Sequence, residues 1–130
     1  MRMQYSETLR DHFENPRNIG RLEESPATGS AVVGRRETGG ILALHIRVDQ
    51  QGLITEARFQ AYGPPALIAA GSWLTENING FSFAHAESIS QHAVVEALDL
   101  PPVRIYCAML AEDAIRAATQ NFKDKQRAFV

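Results

Sequence analysis

The feature that most constrains this chain is a strict alternation over one short stretch. Leu42, Leu44, Ile46 and Val48 alternate with Ala43, His45 and Arg47, and a period of two puts the four large apolar residues on one face of a strand. Asp49-Gln50-Gln51-Gly52 follows, a turn in which glycine can supply the positive φ of a hairpin. Leu53 to Tyr62 alternates again, with Thr55, Ala57, Phe59 and Ala61 on one face and Glu56, Arg58 and Gln60 on the other. Gly29 to Gly34 makes a weaker first strand. The expectation is a three-stranded antiparallel meander with one face that must be covered.

The cover is helical. Tyr5 to Phe13 is a short helix stopped at Asn15-Pro16, because proline disfavours helical geometry in the residue before it, and Arg17 to Thr28 is loop. Pro65 suits a first helical position, and Leu67, Ala70, Gly71, Leu74 and Ile78 recur at helical spacing until Asn79-Gly80. A further helix runs through Ser90 to Leu98. The last begins near Cys107, with Leu110, Ala111, Ala114, Ile115, Ala118 and Phe122 on its apolar face and Glu112 and Arg116 paired outside. Between these two, Leu100-Pro101-Pro102-Val103-Arg104 is expected to be extended and exposed, since two prolines fix φ and remove two donors. The fold class is α+β: the sheet, covered by a helical C-terminal half, forming one domain over residues 1–130.

Composition narrows the function. Hydrophobic residues make up 45% and charged residues 22% of the chain, which is globular rather than disordered, and the net charge of −2 is scattered. Without a basic stripe, nucleic acid is not an expected partner. Nor is a membrane, because the apolar stretches are too short to span one. The polar start lacks an apolar signal core, so a cytoplasmic location is expected. One cysteine excludes an internal disulfide framework.

That cysteine is the first chemical candidate. A helix N-terminus favours negative charge, so Cys107 placed there can have a lowered pKa and act as a thiolate. The plainer alternative is a small buried hydrophobe. The histidines are His12, His45, His85 and His92, and none is spaced with Cys107 as a ligand pair. Arg35, Arg36 and Glu37 suit a solvated loop.

Tyr5-Ser6 followed by His12-Phe13-Glu14-Asn15-Pro16-Arg17-Asn18-Ile19-Gly20 resembles the N-terminal signature of the IscU/NifU iron–sulfur scaffold family. The resemblance continues through Val33-Gly34, the strand pair, Tyr62-Gly63, Leu100 to Arg104, and Cys107 through Ile115. It covers nearly the whole chain. It implies the IscU/NifU-like fold, a role in iron–sulfur cluster assembly without enzymatic activity, and a [2Fe–2S] cluster held at one end by three cysteines with an aspartate and a histidine nearby. Those positions fall here at Thr38, Gly40, Pro64, Tyr106 and Cys107, and only Cys107 keeps the family residue. Iron in such clusters takes thiolate or imidazole donors, so Cys107 is left as the sole cofactor and metal candidate. The resemblance also implies a cysteine desulfurase as partner and a DnaK-type chaperone docking on Leu100, Pro101, Pro102, Val103 and Arg104, where the family lysine is replaced by arginine.

Two readings follow. In the first, the chain is an accessory or degenerate assembly scaffold that does not hold a cluster alone; Cys107 receives sulfur or lends one thiolate to a cluster shared between two copies with outside thiols such as glutathione. In the second, it is a non-catalytic partner-binding module that competes for the assembly machinery or its chaperone. Exposure of Cys107 at the helix start favours the first, and burial favours the second.

Overall fold

A computed structural model of the chain describes residues 5–128. The order is α1 (Glu7–Glu14), β1 (Thr28–Arg35), a 3₁₀ turn (Arg36–Thr38), β2 (Gly40–Val48), β3 (Ile54–Tyr62), α2 (Pro65–Ile78), α3 (Phe83–Ser88), α4 (Gln91–Leu98), a second 3₁₀ turn (Pro102–Arg104) and α5 (Ile105–Ala128). The sheet has the order β1-β2-β3 with both pairs antiparallel. Leu42, Leu44, Ile46 and Val48 all face the core, as their alternation requires. Helix α5 lies against β1 and β2, α2 lies against β3, and α1 packs on α2. Phe59 seats its ring on Gly71 of α2 so closely that a Cβ there would come 2.6 Å from the ring's Cε2. Serine side chains start three helices: Ser6 accepts from the Leu9 N–H, Ser82 from His85 and Ser90 from Ala93, satisfying donors that a helix cannot satisfy itself.

Three expectations need correction. Thr55 does not face inward. Arg47 pairs with Glu56 while Val48 pairs with Ile54, and this bulge leaves Thr55 exposed and turns Ile54 into the core. The stretch after Arg17 is loop as expected, up to the start of β1 at Thr28, and it is tied to the sheet. Asn18 and Gly20 hydrogen-bond Phe59 along the outer edge of β3, and the Leu22 N–H donates to His45 Nδ1 at 2.8 Å. Leu100 is buried rather than exposed. Asp99 ends α4 with φ 49°, and the Leu100 N–H returns to the Val95 carbonyl at 3.1 Å, which swings the leucine inward. Finally, Pro102–Arg104 is a 3₁₀ turn that feeds directly into α5, so that helix begins at Ile105.

Candidate functional site

Three junctions meet at one end of the sheet. The β1–β2 connection is the 3₁₀ turn Arg36–Thr38, closed by Gly39 at φ 106°, with the Thr38 hydroxyl donating to the Arg35 carbonyl at 3.2 Å. The β3–α2 connection is Gly63-Pro64, where Pro64 is the N-cap of α2 and its carbonyl accepts from the Leu67 N–H at 2.9 Å. The third is the start of α5. Tyr106 ties it to the first by donating its hydroxyl to the Gly39 carbonyl at 3.2 Å. The Arg36 guanidinium stacks over the exposed Tyr62 ring, 5.0 Å from its centroid.

The five positions singled out in the sequence therefore converge. Thr38, Gly40, Pro64, Tyr106 and Cys107 sit on these three junctions, yet their chemistry is poor in donors. The Thr38 hydroxyl is spent on its own turn, Gly40 has no side chain, and Pro64 offers neither an N–H nor a ligating atom. Cys107 lies in the first turn of α5 and is 0% exposed. Burial pushes its thiol up to about 11, against the smaller lowering influences of Tyr106 and Arg104. The helix-start activation considered for it is thus outweighed by desolvation, and the plainer reading of a buried hydrophobe holds. Burial likewise raises the Tyr106 phenol.

No histidine replaces the missing donors. His12 is buried in α1, where Nδ1 shares a 2.7 Å hydrogen bond with the Ser72 hydroxyl and Nε2 lies 3.8 Å from Glu76. His45 holds Leu22, His85 Nε2 contacts the Asn77 carbonyl at 3.1 Å, and His92 pairs with Glu96 on the surface of α4. Glu37 is exposed on its turn. Among the described residues, no group of three or more His, Cys, Asp or Glu is arranged to hold a metal ion.

The chaperone-loop candidates divide. Val103 is 59% exposed and Pro102 is exposed, whereas Leu100 belongs to the core and Arg104 is half-buried. The sequence reading placed Leu67 and Leu110 on apolar helix faces but not at the apex, where they lie against Gly34, Gly40 and Gly63. Both recur at helical spacing and are indistinguishable in the sequence from ordinary core positions; only the glycines at 34, 39, 40 and 63 hint that something packs unusually close there.

Comparison with known proteins agrees with the fold. A family model described as NifU-like N terminal domain matches residues 4–128. The iron–sulfur cluster assembly scaffold protein IscU of Buchnera aphidicola (subspecies Schizaphis graminum) is 46% identical over 125 residues, covering 95% of this chain and 98% of that protein. The IscU of Escherichia coli K12 is 43% identical over 127 residues, covering 97% and 99%. Among solved structures, a nitrogen-fixing NifU-like protein (N-terminal) from Brucella abortus superposes with a TM-score of 0.71 at 16% identity, over 92% of this chain and 94% of that one. A putative iron–sulfur cluster assembly scaffold protein for the SUF system from Fervidobacterium islandicum AW-1 gives 0.65 at 17% identity, over 88% and 96%. Those two structures share the fold; the relatives and the family model carry the assignment. The chain belongs to the family of NifU-like N-terminal domains.

Proposed function

We propose that this chain is an accessory member of the iron–sulfur cluster assembly system, a non-enzymatic cytoplasmic scaffold-fold protein that does not hold a [2Fe–2S] cluster by itself. One observation supports the absence of independent cluster binding, which both readings share: of the five apex positions only Cys107 offers a thiol, and that thiol is buried and held protonated, with a pKa of about 11. A thiolate is what iron and persulfide chemistry require.

The burial of Cys107 also favours a more specific second reading, in which the domain is kept for recognition. Its partners are then those implied by kinship: a cysteine desulfurase, and a DnaK-type chaperone docking on the exposed part of the Leu100–Arg104 segment. Such a chain regulates an authentic scaffold by occupying its partners. The test is competition. The full chain is added to a desulfurase and a three-cysteine scaffold forming clusters anaerobically. Saturable slowing of cluster formation, with direct binding to the desulfurase seen by calorimetry, is expected. Absence of binding to both desulfurase and chaperone would remove the proposal.

A further inference from the structure

Four apex glycines press against the same few side chains. A Cβ added to Gly40 would lie 2.6 Å from Leu67 Cδ2, and one added to Gly63 would lie 2.8 Å from the same atom. At Gly39 it would come 2.9 Å from the Tyr106 hydroxyl. At Gly34 it would strike the Gly40 carbonyl oxygen and approach Leu110 Cδ2 at 3.2 Å. Leu67 is fully buried, so its methyl cannot swing into solvent to make room. Apolar carbon and bare backbone thus fill the space between the three junctions, where a metal centre needs several thiolate or imidazole donors around it.

We infer that Leu67, with Tyr106 closing over the β1–β2 turn, is an exclusion plug that shuts the apex to a metal centre even when ligating side chains are present on the rim. The inference deepens the proposed function and rests on it. There, the chain lacks donors; here, it also lacks the space. The plug has a second role. In a chain without a metal centre, something else has to hold the junctions together, and the Tyr106–Gly39 hydrogen bond and the Leu67 packing do so within the protein itself. The absence of a side chain at Gly40 has its reason here too, since any other residue would displace Leu67.

The test separates space from donors. Thr38→Cys and Pro64→Cys together add two rim thiols to Cys107 in the full chain, and this protein is compared with the same protein carrying Leu67→Ala. Each is titrated anaerobically with cobalt(II) chloride and followed by thiolate-to-cobalt charge-transfer absorption. The expected result is at least about tenfold tighter binding when Leu67 is removed. Equal affinity in the two proteins overturns the plug. So does absence of binding in both when circular dichroism shows them folded. Should Leu67→Ala prevent folding, Leu67→Val replaces it with the same expected direction. Independently, Tyr106→Phe in the otherwise unmodified chain keeps the ring and removes the hydroxyl that bonds the Gly39 carbonyl and also interacts with the Cys107 thiol. Amide exchange is expected to quicken severalfold over residues 36–40 and to stay unchanged over 42–48; unchanged exchange over 36–40 overturns the closing role of Tyr106. Reconstitution of the unmodified chain with iron and sulfide is judged separately, and a cluster formed there contradicts the proposed function rather than the comparison of Leu67 with alanine.

Discussion

Cys107, His12 and His45 show how far a residue's environment can override its chemical type. A thiol raised from 9.0 to about 11 carries roughly a hundredfold less thiolate at neutral pH, before its inaccessibility is counted. Iodoacetamide should therefore label native Cys107 at least about a hundred times more slowly than the urea-unfolded chain, followed by mass spectrometry. Rapid stoichiometric labelling of the folded protein would contradict the burial. His12 and His45 are both held below the ordinary histidine pKa, each chiefly by burial; Arg17 adds to this at His12, while Glu76 and Asp11 oppose it there. At His45 the charge of Glu24 opposes the lowering, and Arg21 and Lys125 reinforce it. A histidine with a lowered folded pKa is neutral in the native state and charges more readily when unfolded. Its stabilising contribution is therefore present above about 6.5 and is lost as pH falls from there toward the folded value. Asp11, lowered chiefly by its Arg17 hydrogen bond, acts in the same direction at more acidic pH. Urea midpoints should fall between pH 7.5 and 5.5, with a limiting slope of about 1.4 kcal/mol per pH unit for each histidine, and His12→Gln should flatten that slope. A midpoint that does not change over this range would show that the histidines titrate alike in both states.

The packing of α2 on β3 depends on the absence of one methyl group. Gly71→Ala places a Cβ inside the contact distance of the Phe59 ring, and overpacking of this kind costs about 1–3 kcal/mol. A urea midpoint equal to that of the wild type would mean the ring has somewhere to go. The segment after α4 allows the proposed docking to be separated from folding in the same way. Leu100→Ala should destabilise the fold by about 2–5 kcal/mol because that side chain is core. Val103→Ser should leave stability within about 0.5 kcal/mol while weakening DnaK-type chaperone binding; unchanged chaperone affinity in Val103→Ser would remove Val103 from the docking surface. The sheet was legible from 42–48 because period two with one covered face admits a single register. The bulge at Thr55 was not, because it depends on how the Asp49–Gly52 turn closes against β2. The depth of Leu100 and Cys107 was also hidden. It is decided by the left-handed Asp99 and by a 3₁₀ turn that carries Pro102 smoothly into α5, and neither leaves a periodic mark. At the apex, the lost donors could be read directly from the residues, while the filling by Leu67 could not. An apolar side chain at helical spacing looks the same beneath a sheet as in the mouth of a site.

Across the described residues, the sheet, the helical cover and the edge loop bound along β3 form one framework, and the proposed loss of cluster donors lies at one end of it. A decaying chain would be expected to lose packing throughout. This one keeps a continuous core from Leu9 to Ala118 and closes its apex with carbon and a tyrosine hydroxyl. Partner recognition needs the whole shape, whereas holding a cluster needs donors and room at its tip. The most direct test is anaerobic reconstitution of the purified full chain with ferrous iron and sulfide, in the absence of other thiols, followed by desalting, visible absorption and iron and acid-labile sulfide analysis. The expected product is colourless, with iron and sulfide at background. Stoichiometric iron and sulfide with sulfide-to-iron charge-transfer bands that survive desalting would contradict the account.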